Sequence, residues 1–165
     1  MTASKPPAGE ARLPFDPANA TGDARLVFIG HICSPWREAR TTPKNPTLAR
    51  QMEAGATLEI AAPYRPGLKG LAGTSHIIVL VWLHQAARDL IVLRPGHVDA
   101  PRGVFALRSP VRPNPIGVSV ARVLAIDEAE GRVVIDAIDF IDGTPLIDIK
   151  PYRPGIDAVP DAIVG

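Results

Sequence analysis

The sequence predicts an all-β protein, a small closed or nearly closed β-barrel with long proline-rich loops and little helix. Three observations lead there. Short runs of β-branched and aliphatic residues recur at close intervals along the 165 residues, the pattern of a barrel or sandwich. Eighteen prolines and fourteen glycines punctuate the chain and leave little room for long helices. Glu130-Gly131 and Asp142-Gly143 separate three alternating runs, and Asp-Gly is a strong hairpin signal. Closure favours the barrel over a sandwich, because it removes exposed strand edges.

In chain order, residues 1–24 are rich in Pro, Ala and Gly without periodicity and read as a flexible tail. One ordered domain is expected over 25–160, followed by a short C-terminal tail at 161–165. "RLVFIGHI" (25–32) opens the domain as a strand. "CSPWREARTTPKNPTLARQM" follows as a proline-punctuated loop with a helical turn after Pro46, and "ATLEIAAPYRPG" as a strand ending in a turn. "SHIIVLVWLH" (75–84) is the strongest strand signal. "QAARDLIVLRPGHVDAPR" reads as an irregular strand with loops, and "GVFALRS" as a further strand. From Gly117 to Tyr152 the three alternating runs form a meander. The pentapeptide "PYRPG" occurs at 63–67 and at 151–155, which reads as two similar turns rather than a duplication.

Composition narrows the classes of function. The net charge of +1 neither demands nor excludes a nucleic-acid partner, so anion binding must come from a local patch. Cys33 is the only cysteine, which rules out an intrachain disulfide and a cysteine-based zinc site and fits a reducing cytoplasm. The N-terminus has no apolar h-region. No apolar run approaches the roughly 20 residues of a spanning helix. A soluble, cytoplasmic protein with no metal and no membrane association is expected.

The long apolar strand carries two histidines. Its two-residue period sets His76, Ile78, Leu80, Trp82 and His84 on one face, with His76 and His84 roughly 26 Å apart, too far to share a metal. Both faces are apolar, so both need a cover, and a second copy of the chain, a homodimer, would supply the outer one. His76 reads as a hydrogen-bonded structural residue. His84 ends its strand beside Gln85, where a ligand has access.

Three further segments hold polar groups on stiff backbone. In "RSPVRPNPIGVSV" (108–120), Pro110, Pro113 and Pro115 fix their own φ angles and keep Ser109, Arg112 and Asn114 out of helix. Cations arranged in advance lose little freedom on gripping a carboxylate or phosphate, although exposed arginines on a proline-rich edge are also ordinary surface. In "DFIDGTPLIDIKPY" (139–152), Asp142-Gly143-Thr144-Pro145 forms a tight turn, and Asp148 and Lys150 share a face as a ligand pair or a plain surface ion pair. "SPWREARTTPKNP" (34–46) has the same texture. No phosphate-binding glycine loop, nucleophile elbow or metal-ligand cluster is present.

Together "GHICSPW…P", "APY…GLKGLAGTSHIIVLVWLHQ", "GVFALRSPVRPNPIGVSVARV" and "DFIDGTPLIDIKPY" resemble the TsaA-like/YaeB family, also known as TrmO, over residues 25 to 160. The family's corresponding segments read F-A-T-R-S-P-F-R-P-N-P-I-G and D-G-T-P followed by D-I-K-P-Y. The resemblance implies a β-barrel methyltransferase that uses S-adenosylmethionine, acts as a homodimer, and methylates N6-threonylcarbamoyladenosine beside the anticodon of tRNA. Carried over by position, the cofactor would meet Pro43, Lys44 and Asn45, where the family has Pro-Arg-Gln. It would also meet His84, Gln85, Arg108, Val120 and the turn Asp142, Gly143, Thr144 and Pro145. Arg108 or Lys44 suits its carboxylate, while Asp142 and the turn carbonyls suit its ammonium or adenine amino group. Asp148, His84 and Tyr152 are the candidates for the proton acceptor, and Arg112, Asn114 and Lys150 for substrate contact. Two alternatives share the fold. One is a methyltransferase with a small-molecule acceptor, the other a non-catalytic module that binds S-adenosylmethionine or RNA.

Overall fold

The computed structural model describes residues 8–19, 22, 24–96 and 100–163. Its strands are β1 (Ala11–Arg12), β2 (Gly30–Cys33), β3 (Ala56–Ile60), β4 (His76–Trp82), β5 (Leu90–Leu93), β6 (Arg102–Gly103), β7 (Ile116–Asp127), β8 (Arg132–Ile135) and β9 (Pro145–Pro151). Two short helices, α1 (Pro46–Gln51) and α2 (Pro154–Asp157), and two 3₁₀ segments, Ala62–Leu68 and Val104–Ala106, complete the set. The chain divides into two compact units, Val27–Trp82 with Val118–Gly165, and Met1–Leu26 with Leu83–Gly117.

The larger unit is the expected barrel, closed in the order β2-β3-β8-β7-β4-β9. Two-residue alternation builds its core, since β3 and β4 bury every second residue. Ile32, Leu58, Ile77, Val79, Val81, Val133, Ile135 and Leu146 are all fully buried, each contributing about 1.5–3 kcal/mol of transfer free energy. The outer face of β4, with His76, Ile78, Leu80 and Trp82, is half-buried. Gly30 permits the closest backbone approach in the barrel. A Cβ there would lie 1.9 Å from the carbonyl oxygen of Glu59, whose strand pairs with β2 through His31↔Glu59.

The smaller unit holds a three-stranded sheet, β1-β5-β6. The segment expected as a tail therefore contains a strand. Ala11 and Arg12 pair with Val92 and Leu90, and the Arg12 guanidinium bonds the Asp89 carboxylate, enough to recruit a short polar stretch into the sheet.

Three other expectations need correction. Of residues 25–32, only Gly30 onward is strand. Leu26, Val27 and Phe28 are exposed, because β-propensity without a partner ladder does not make a strand. "GVFALRS" forms a 3₁₀ turn over Val104–Ala106, since the carbonyls of Val104 and Leu107 both converge on the Arg112 guanidinium. The Asp142-Gly143 turn forms, with Gly143 at φ +74°, but it joins no hairpin. β8 pairs with β3 and β7, and β9 with β2 and β4. Glu130-Gly131 does close the β7–β8 hairpin, with Gly131 at φ +71°. Among the described residues no helix is long and apolar enough to cross a membrane.

Candidate functional site

The acidic turn is assembled by residues more than a hundred positions away. Ser34, buried beside β2, receives the turn from both sides. Its amide donates to Asp142 Oδ1 at 3.0 Å and its hydroxyl to the Phe140 carbonyl at 2.8 Å. Trp36 Nε1 donates to the Ile138 carbonyl at 2.7 Å, and the Trp36 carbonyl accepts from the Asp142 amide at 2.7 Å. Arg37 pairs with Asp142 Oδ2. The Gly143 amide donates to Ile32, and the Thr144 hydroxyl to Ile141 at 2.7 Å.

These bonds give the turn a direction. The amides of Asp142 and Gly143 bond the Trp36 and Ile32 carbonyls and that of Thr144 closes the turn on Ile141, whereas among the described residues the carbonyls of Asp142 and Gly143 accept no bond. A Cβ on Gly143 would meet nothing within 4 Å. The turn thus keeps two acceptors without a partner among the described residues, Gly143 is exposed, and both oxygens of the Asp142 carboxylate already have partners. Beside it lies a depression of about 540 Å³, lined by Cys33, Ser34, Arg37, Thr57, Val134 and Asp142 among others. Burial, then the carboxylates of Glu59 and Asp142, push the Cys33 thiol up from its ordinary range, against smaller opposing effects of Arg132 and Arg37.

The Pro43-Lys44-Asn45 segment is fixed by the helix that follows it. Asn45 caps α1, its Oδ1 accepting from the Leu48 amide at 2.9 Å, a role that asparagine fills well and glutamine poorly. Upstream, the amides and hydroxyls of Thr41 and Thr42 all donate to the Glu38 carbonyl. At the far end of α1, Arg50 donates to the Val120 carbonyl at 2.6 Å and to Asp136 Oδ2 at 2.9 Å. Asp136 Oδ1 in turn accepts the Arg122 amide at 2.8 Å. The structure thereby couples Asn45 to Val120, two positions the sequence had singled out separately.

In the smaller unit, the proline rim is braced by arginines. Arg112 donates to the carbonyls of Ser109 (3.0 Å), Val104 (2.8 Å) and Leu107, and Arg88 to that of Pro113 at 2.7 Å. Arg112 is thus engaged by its own loop. Asn114 is exposed. Arg108 is exposed just beyond the 3₁₀ turn, and His84 and Gln85 are exposed beyond β4, their side-chain nitrogens 3.5 Å apart.

The remaining candidates separate along β9. Asp148 and Lys150 form an ion pair of 2.7 Å opposite Leu80 and Ile78, on the outer face of the barrel. The Tyr152 amide bonds the His76 carbonyl. Tyr152 lies seven residues past Pro145, roughly 23 Å along a strand, at the opposite end from the acidic turn. Among the described residues no three His, Cys, Asp or Glu side chains gather as a metal site. Sequence reasoning missed Ser34, Trp36, Arg37, Arg50 and Asp136. Only the proline-flanked Ser34-Pro35-Trp36 stretch offered a signal.

A six-stranded antiparallel barrel with proline-stiffened polar loops and an acceptor-bearing acidic turn defines a small β-barrel class, distinct from doubly wound nucleotide-binding folds. Residues 31–158 match the model of the tRNA-methyltransferase O N-terminal domain, and the chain belongs to that family. It is 41% identical over 132 residues to the probable S-adenosyl-L-methionine-binding protein VirR of Rhizobium radiobacter, covering 80% of this chain and 73% of that one. It is 37% identical over 142 residues to the tRNA (adenine(37)-N6)-methyltransferase of Escherichia coli, covering 81% of this chain and 60% of the enzyme. The crystal structure of TrmO from Pseudomonas aeruginosa superimposes with a TM-score of 0.70 at 38% identity, over 87% of this chain and 62% of that one. The chain therefore spans about three fifths of the length of those last two relatives.

Proposed function

We propose that the protein is an S-adenosylmethionine-dependent methyltransferase and that its acceptor is N6-threonylcarbamoyladenosine beside the anticodon of tRNA. The observation that carries this reading is the acidic turn. Its motif is the family's, and its amides are all bonded while, among the described residues, the carbonyls of Asp142 and Gly143 accept no bond. Two fixed acceptors suit an ammonium or an adenine amino group. In the same compact unit, Asn45 keeps its Nδ2 donor outside the cap, and Lys44 is exposed. The residues present fit the cofactor's mixture of charges, with Lys44 or Arg108 for its carboxylate.

When bound, the cofactor supplies a methyl group on a cationic sulfur. The task of the chain is then to position and desolvate the acceptor nitrogen and to take up the proton it loses. His84, an exposed imidazole, is the candidate acceptor of that proton, whereas Asp148 is ion-paired with Lys150. The half-buried outer face of β4, with Ile78, Leu80 and Trp82, supports a homodimer, and a tRNA substrate implies a cytoplasmic setting.

The deciding experiment incubates the purified protein with S-adenosylmethionine and tRNA bearing threonylcarbamoyladenosine. Mass spectrometry of the digested nucleosides should reveal one added methyl group, and tRNA lacking the modification should gain none. Tight cofactor binding without product would favour the second reading, a binding module, which the similarity to VirR, a probable S-adenosyl-L-methionine-binding protein, supports.

A further inference from the structure

We infer that Phe105 is a stacking platform for an unpaired base of a single-stranded RNA segment, set in the positive field of the arginines around it. This rests on the proposed tRNA reading and adds where the RNA is gripped. Phe105 is 83% exposed, the most exposed aromatic side chain among the described residues. Its neighbour Val104 is fully buried, so the turn is anchored on one side and displays the ring on the other. The Leu107 amide closes the turn on the Val104 carbonyl at 3.2 Å. The Arg112 guanidinium holds the Val104 carbonyl at 2.8 Å and the Leu107 carbonyl as well. The ring is thus presented on backbone fixed before a ligand arrives, which lowers the ordering cost of binding.

Charge selects the partner. Residues 83–117 contain five arginines against Asp89 and Asp99, a net of +3 in a chain whose total is +1, so the rest of the chain is net negative. Asp89 is itself paired with Arg12. The bonds of Arg112 go to neutral carbonyls, which leave its charge uncancelled. Leu93 pairs with Arg102 in the β5–β6 ladder, so Arg94 and Arg102 come to the same end of that ladder, and Arg102 precedes Phe105 by three residues. A lone exposed phenylalanine is unremarkable on a neutral surface. Along the chain its exposed neighbours are Gly103, Ala106 and Arg108, which add little apolar side chain to the ring. An exposed aromatic face on a cationic segment is the arrangement that stacks bases while phosphates meet the arginines.

Fluorescence anisotropy tests this with two RNAs, an anticodon stem-loop and a fully paired duplex of the same length. Phe105→Ala should weaken loop binding about tenfold while duplex binding and the salt slope stay unchanged. Phe105→Tyr should restore the loop affinity. Arg94→Gln should lower the slope of log Kd against log salt by about one. Cofactor affinity of Phe105→Ala, measured by calorimetry, should equal that of the wild type. If the wild type binds the loop and Phe105→Ala binds it equally well, the platform is wrong while the tRNA reading stands. If the wild type binds neither RNA, both fall. If Phe105→Ala loses loop affinity and also sediments as a smaller species, the ring belongs to a subunit contact and the inference is overturned.

Discussion

Arg50 and Val120 are separated by 70 positions, and the guanidinium of the first donates to the carbonyl of the second at 2.6 Å. With Asp136 as its other partner, Arg50 fastens α1 to the barrel strand β7, and with it the Lys44-Asn45 segment that precedes the helix. Arg50→Met should cost about 1 kcal/mol, the scale of a partly exposed charge-assisted bond. It should also weaken S-adenosylmethionine binding. Thermal denaturation and calorimetry on the same preparation measure both, and unchanged affinity would show that α1 holds its place without the tether.

Arg108 is exposed on the proline-stiffened segment, and the proposed function gives it to the cofactor's carboxylate. Arg108→Ala should abolish measurable cofactor binding in calorimetry while the protein still unfolds in one cooperative thermal transition. Binding of wild-type strength would sink its assignment to the cofactor.

Gly30→Ala should be far more damaging than an ordinary surface change. The added methyl would sit 1.9 Å from the Glu59 carbonyl oxygen, a backbone atom that cannot swing aside. Parting β2 from β3 should cost about 3 kcal/mol or more, the range of forced overpacking, and chemical denaturation would read the loss. Because Ile32 lies on β2 and Ser34 directly follows it, the acidic turn should loosen with it.

Cys33 should alkylate slowly at neutral pH, since burial and then Glu59 and Asp142 hold its thiol protonated. The native thiol releases its proton at higher pH than the unfolded one. Its contribution to stability is therefore fully present below the unfolded value and is lost as pH rises through the native one. Glu59→Gln should shift the pH profile of iodoacetamide reaction downward. A profile identical to that of the wild type would remove Glu59 as a cause.

Local signals were legible where they are complete within a few residues. The β4 run, the helical turn after Pro46 and the positive-φ glycine of the β7–β8 hairpin all declare themselves that way. Asp142-Gly143 specified a turn but not its partners, which are Ser34 and Trp36, over a hundred positions upstream. The 3₁₀ turn at Val104 was equally hidden, because the group that shapes it, Arg112, acts on carbonyl oxygens. Backbone acceptors are the same in every residue and leave no side-chain signature. The same limit hid Arg50 and Trp36, whose key partners are the carbonyls of Val120 and Ile138. The motif that named Asp142–Pro145 was visible, while the carbonyls that its amides bond were not.

The helix cap also settles an orientation. With Oδ1 turned to the Leu48 amide, Asn45 directs its NH₂ group away from the cap, so the outward end of this side chain carries two hydrogens. Aspartate would keep the cap and reverse that polarity, replacing the two outward hydrogens by a negatively charged oxygen. Position 45 therefore carries two separable jobs, one toward its own helix and one toward a visitor, and a single isosteric exchange tells them apart.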